Sequence, residues 1–170
     1  MAMVFTAIRA AVYGLAFISL WGWMALGVRE YDHLFLQSLP AWLEPVGIVL
    51  MVAGGLVACW CVGVFVSRGK GTAAPFDPPR TFVASGPYRH VRNPMYSGGW
   101  IMLIGFSFYQ RSLSMVLFSL VWLLLAHLFV VLFEEPGLEQ RFGGSYAEYK
   151  KTVNRWIPRS STTEHVRRLP

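Results

Sequence analysis

Charge is scarce in this chain. Asp, Glu, Lys and Arg together make up 14% of 170 residues, against 55% hydrophobic residues and a mean hydropathy of +0.45. A soluble domain of this length rarely carries so little charge and so much apolar surface, so the composition points to a membrane protein. Cysteine is almost absent as well. Cys59 and Cys61 stand two apart inside an apolar run, too close along one helix for good disulfide geometry. No C-x-x-C pair or Cys/His ligand set accompanies them, so no metal site is expected and both read as small packing residues. The chain shows no internal repeat and no low-complexity segment. Its net charge of +6 borders apolar runs and forms no separate basic domain. That pattern suits anionic lipid headgroups and argues against nucleic acid.

What is present is a set of apolar runs broken by polar punctuation. The first, about residues 10–27, is long enough to cross a hydrocarbon core of roughly 30 Å, and Trp21 and Trp23 stand near its far end. A cleaved leader is the rival reading, with Arg9 as its basic start. The length of the run and its tryptophans favour a retained helix. A short loop with Glu30, Asp32 and His33 leads to a second span, about 42–66, where Gly54, Gly55 and Gly63 would permit close helix contact. Residues 67–95 are polar and rich in Pro and Gly. The third run, 96–109, and the fourth, 113–133, are separated by Gln110, Arg111 and Ser112 and read as a helical hairpin. Residues 134–170 form a charged tail.

The expected architecture is therefore one all-α polytopic domain over 1–170 with about four membrane helices. Twelve of the fifteen Lys and Arg residues fall in the 67–95 loop and the tail. The positive-inside rule then sets both termini in the cytoplasm, across an inner or cytoplasmic membrane.

The most constrained stretch is Ser85–Gly98, SGPYRHVRNPMYSG. Gly86-Pro87 fixes a tight backbone, and Asn93-Pro94 pushes the chain out of helix before a new helix begins at a tolerated proline. A hairpin of helices three and four would bring this loop beside Glu134-Glu135, and so beside Arg89, Arg92, Tyr88 and Tyr96. Acidic residues at a helix C-terminus oppose its dipole, so the pair wants a partner: a nearby arginine, or a cationic or hydroxyl-rich ligand. His127 lies two turns deeper on the same helix face, either bonded to a backbone carbonyl or functional. The tail aromatics from Phe142 to Tyr149, and Trp156, suggest a tail folded back over the loop.

These pieces, Gly86-Pro87-Tyr88, Arg92-Asn93-Pro94-Met95-Tyr96-Ser97-Gly98, Glu134-Glu135, Phe142-Gly143 and Arg155-Trp156-Ile157-Pro158, resemble the isoprenylcysteine carboxyl methyltransferase family. Its superfamily includes phospholipid and thiol methyltransferases. The resemblance covers roughly residues 80–158. It implies an integral membrane enzyme that uses S-adenosylmethionine, with a lipophilic or small membrane-soluble methyl acceptor entering from the bilayer. By motif, the cofactor loop runs from Arg80 through Phe82, Val83, Gly86 and Pro87 to Tyr88. It is followed by Asn93, Pro94, Met95 and Tyr96, with Glu134 and Glu135 from helix four. Arg92 and His127 are the candidates for catalytic work: Arg92 could receive a carboxylate bidentately, and His127 could act on an amine or thiol nucleophile.

Two positions depart from the family pattern. Asn93 stands where a histidine is usual, and Val130 where carboxyl-methylating members carry an arginine. An apolar residue cannot steer a carboxylate, which weakens the case for isoprenylcysteine as acceptor. Phospholipid N-methylation and thiol S-methylation remain alternatives, as does a non-catalytic scaffold. A nicotinamide-dependent reductase is disfavoured by the absence of a dinucleotide-type glycine loop. The sequence leaves the oligomeric state open.

Overall fold

A computed structural model describes residues 2–69 and 81–159. Six helices follow one another: α1 (Ala2–Arg29), α2 (Leu43–Val64), α3 (Pro94–Tyr109), α4 (Leu113–Phe129), α5 (Glu135–Phe142) and α6 (Gly144–Thr152). Among the described residues there is no β-strand, only one parallel bridge between Val91 and Asn154. A π-turn, Phe65–Gly69, extends α2, and a second, Val130–Glu134, joins α4 to α5.

Three continuous helices are long and apolar enough to cross a membrane: Val4–Leu34, Leu43–Gly69 and Leu113–Phe142. Their outward faces carry exposed apolar side chains such as Leu15, Val52, Leu56, Leu124 and Leu132, as lipid-facing surfaces should. Helix α3 has 16 residues, about 24 Å at 1.5 Å per residue, so a fourth full-length span is not seen. The expected boundaries also need correction at two places. Helix α1 begins some eight residues before position 10, because Phe5 and Ile8 continue its apolar surface. The fourth helix does not stop at 133 but runs through the π-turn to Phe142. Glu134 and Glu135 are thus helix-interior residues, not a helix terminus facing its own dipole.

Glycine decides how α2 and α3 meet. A Cβ on Gly54 would lie 2.5 Å from the Gly98 carbonyl oxygen, and one on Gly47 would lie 2.5 Å from that of Gly105. The reciprocal distances are 2.9 Å for Gly98 and 2.7 Å for Gly105. Seven residues onward in α2 thus answer seven residues back in α3, and two antiparallel backbones touch along a glycine seam. Of the three glycines singled out from sequence, Gly54 belongs to this seam. Gly55 meets only the Met102 sulfur at 3.9 Å, and Gly63 meets nothing within 4 Å.

At the α3–α4 turn the expected hairpin is present. Arg111 adopts φ 55°, its Nε donates to the Leu39 carbonyl at 2.8 Å, and the Ser112 hydroxyl caps α4 by accepting from the Met115 amide at 3.1 Å. The Asp32 carboxylate accepts from the Ser114 amide at 2.9 Å, tying the α1–α2 connection to the same helix start. Farther along, Trp21 of α1 packs on Phe118 and Trp122 of α4. Cys61 is fully buried and Cys59 exposed; both are free.

Candidate active site

The opposite end of the bundle gathers the polar residues. Gly86, at φ +61°, turns the chain so closely over α2 that a Cβ there would meet Val64 at 2.8 Å. The turn delivers Pro87 and Tyr88 into the interior. Tyr88 is buried with Cys61, Val64 and Val83, and its ring meets Phe65 edge-on at 5.1 Å. Burial pushes the Tyr88 phenol well above its ordinary range, and the neighbouring Cys61 thiol and Glu134 push the same way. It is a neutral hydroxyl at any physiological pH.

The tail does fold back over the loop. The Arg92 amide donates to the Asn154 carbonyl at 2.8 Å and the Asn93 amide to the Arg155 carbonyl at 3.2 Å, while the Tyr149 phenol donates to the Tyr88 carbonyl at 2.6 Å. Tyr146, Tyr149 and Val153 form a buried cluster with Phe82, Ala84, Leu138 and Phe142. Burial, then the nearby Glu135 charge, lifts the Tyr146 phenol to about 12, with Arg92 pulling it back. Removing the Tyr149 hydroxyl leaves a buried carbonyl without its donor, a loss of about 1–3 kcal/mol. Tyr149→Phe is therefore expected to lower the unfolding temperature and to speed amide exchange over residues 82–91, read by hydrogen-exchange mass spectrometry. Unchanged exchange there would mean that the tail does not hold the loop.

Helix α3 starts at Pro94 and aims Tyr96 at α4, where its phenol donates to Glu134 Oε2 at 2.8 Å. The π-turn just before α5 widens the helix by one residue, and the two adjacent glutamates part company there. Glu134 keeps Tyr96. Glu135, buried, is held bidentately by Arg155, with Nε to Oε1 at 2.8 Å and Nη2 to Oε2 at 2.9 Å. Arg92 Nη1 also lies 3.1 Å from Glu135 Oε1, but without hydrogen-bond alignment. Arg92 Nε and Nη1 are both buried and make no aligned hydrogen bond.

These groups border a cavity of about 350 Å³, within the usual range for small-molecule sites. One wall is polar, from Arg92, Asn93, Glu134 and Glu135; Phe82, Val83, Tyr88 and Tyr96 line it too. The other is made by Phe129 and Phe133 of the long helix, which are 39% and 66% exposed and stack at 5.8 Å. The cavity thus reaches the apolar outer face of a membrane-crossing helix.

Of the residues marked in the sequence, Gly86 and Pro87 shape the turn, Pro94 opens α3, and Met95 packs against the Cys61 cluster; none of these four lines the cavity. Arg80 lies outside the described residues. His127 does not border the cavity either. Its Nδ1 accepts from the Trp156 indole at 3.0 Å, which sets the neutral ring proton on Nε2. Phe65, Arg141, Tyr146 and Tyr149 line the cavity without having been assigned to it. For the two tyrosines the signal was there, as aromatics in an otherwise solvated tail.

The chain is thus an all-helical integral membrane protein with one polar and aromatic cavity at an end of its bundle, open toward the lipid face. Residues 43–145, more than half of the chain, match the family model described as phospholipid methyltransferase. The chain belongs to that family, within the isoprenylcysteine/phospholipid methyltransferase superfamily, and its activity class is methyl transfer. No curated protein matches it.

Proposed function

We propose that the cavity binds S-adenosylmethionine and that the chain transfers a methyl group from it to a lipophilic acceptor reaching the site from the bilayer. The observation that carries this reading is Arg92, a cavity-lining cation whose buried Nε and Nη1 make no aligned hydrogen bond. Buried polar groups are ordinarily satisfied, so these donors fit an anionic ligand group. The methionine carboxylate is such a group, and Glu134 on the same polar wall suits either the ammonium or the ribose hydroxyls. When bound, the cofactor supplies an electrophilic methyl on a sulfonium, with a neutral thioether as leaving group.

The protein's part is to bind, align and exclude water. Arg92 takes the carboxylate, Glu134, held by its Tyr96 hydrogen bond, takes the ammonium or the ribose hydroxyls, and the Tyr88, Tyr96 and Phe82 rings offer faces suited to adenine or a sulfonium. The tail strap closes the cavity from outside. Holding nucleophile, methyl and sulfur in line then supplies most of the acceleration. Phe129 and Phe133 form the acceptor's entrance. Val130 between them, fully buried, offers no cation to a carboxylate, which favours an amine or thiol nucleophile. Both termini face the cytoplasm in this reading, so that the cofactor arrives from water while the acceptor arrives from lipid.

Calorimetric titration of the detergent-purified, folded protein with S-adenosylmethionine is the test. Saturable binding is expected, with none for a reduced nicotinamide cofactor. Absence of S-adenosylmethionine binding in protein shown to be folded would overturn the reading.

A further inference from the structure

Two guanidinium groups compete for Glu135. One carboxylate meets two guanidinium groups, Arg155 through two aligned hydrogen bonds at 2.8 and 2.9 Å and Arg92 through an unaligned contact at 3.1 Å. Arg92 and Glu135 side chains are only 11% and 9% exposed, so this competition is poorly screened by water. Arg155 holds both carboxylate oxygens in aligned hydrogen bonds, and the donors left without one, Nε and Nη1, belong to Arg92.

We infer that Arg155 is a positioning residue for ligand binding. By occupying both Glu135 oxygens, it keeps the Arg92–Glu135 ion pair from closing into aligned hydrogen bonds and leaves Arg92 Nε and Nη1 for an anionic ligand group. Arg155 does not itself border the cavity; it acts through Glu135. The inference rests on the proposed S-adenosylmethionine site and names the part of that ligand it governs, the carboxylate. Its backbone position is fixed independently, because the Arg155 carbonyl accepts from the Asn93 amide. The side-chain role can therefore be changed without unpinning the strap. The other charged groups near the cavity differ in kind. Arg141 is exposed on α5, with its guanidinium over the Phe142 ring, and Lys150 is paired with Glu139.

The experiment compares two ligands across a small set of variants of the full chain in detergent. One ligand is S-adenosylmethionine; the other is its decarboxylated form, which lacks only the carboxylate. In Arg155→Gln, Glu135 recruits Arg92, and S-adenosylmethionine affinity is expected to fall about tenfold or more, the scale of a charge-assisted bidentate contact. The decarboxylated ligand should shift less than twofold. Adding Glu135→Gln to Arg155→Gln removes the competitor and frees Arg92 again, so the double variant should recover most of the lost affinity. Arg141→Gln serves as the exposed-cation comparison, with a smaller effect on both ligands.

Equal weakening of both ligands in Arg155→Gln, or no recovery in the double variant, would reduce Arg155 to a structural tie and overturn the inference. Unchanged affinity in Arg155→Gln would do the same. If the unaltered protein bound neither ligand, it is the site assignment itself that would fall, before Arg155 is in question.

Discussion

Glu134→Gln is expected to weaken S-adenosylmethionine binding by about 10- to 100-fold, the range of a lost charge-assisted hydrogen bond, and to depress methyl transfer at least as much. The substitution keeps the shape of the side chain, and its amide oxygen can still accept from the Tyr96 phenol, now 2.8 Å from Glu134 Oε2. Helix continuity is unaffected, since Gln and Glu have nearly equal helix propensity. What is lost is a negative charge at the only carboxylate that, among the described residues, borders the cavity and is claimed by no arginine. Glu135 cannot replace it, because Arg155 holds both its oxygens. Isothermal titration on protein with an unchanged unfolding temperature makes the measurement. Wild-type affinity in Glu134→Gln would remove Glu134 from the binding site.

The second large effect concerns stability. Gly54→Ala and Gly63→Ala make the same chemical change in the same helix, and both gain the same helix propensity, about 1 kcal/mol. They differ in surroundings alone. A Cβ on Gly54 meets the Gly98 carbonyl oxygen at 2.5 Å and the Met102 amide nitrogen at 2.8 Å, whereas one on Gly63 meets nothing within 4 Å. Backbone atoms of a packed helix cannot step aside as a side chain does, so α2 and α3 must separate. Gly54→Ala should lose about 2 kcal/mol net, the scale of overpacking, and Gly63→Ala should be neutral or slightly stabilised. Thermal unfolding in one detergent compares them. Equal unfolding temperatures would mean that the glycine seam is not where these helices meet.

The sequence carried much of this arrangement, and particular residues explain where it stopped. The neighbourhood of Tyr96 and Glu134 followed from chain reversal alone, since a hairpin over residues 110–112 must bring its two open ends together. The returning tail was legible because Tyr146, Tyr149 and Trp156 would have no reason to sit in solvent. The glycine seam was legible only in part. Gly47, Gly98 and Gly105 look no different in a sequence from Gly55 and Gly63; only the rotation of one helix about its axis separates a contact glycine from a lipid-facing one.

The extent of the fourth helix was misjudged for a different reason. Composition changes at Glu134, but the helix continues, because Arg155 and Tyr96 hydrogen-bond the two carboxylates that would otherwise end the apolar helix there. The separate duties of Glu134 and Glu135 depend on the π-turn, whose extra residue leaves no mark in composition or periodicity. Arg155 was part of a recognised motif, yet its hold on both Glu135 oxygens is visible only in the structure.

The bridge between Val91–Asn93 and Asn154–Arg155 also carries a consequence for biosynthesis. A ribosome makes the loop and the α3–α4 hairpin first, and the partner strand emerges some sixty residues later. The hairpin is therefore committed to the bilayer while the pocket is still open on its watery side, with Arg92 facing Glu135 alone. Ligand cannot template membrane insertion, and a stalled or prematurely released chain would be fully integrated yet unable to bind. Integration and closure of the pocket are separate events in the life of this polypeptide, and the second waits for residues 154 and 155.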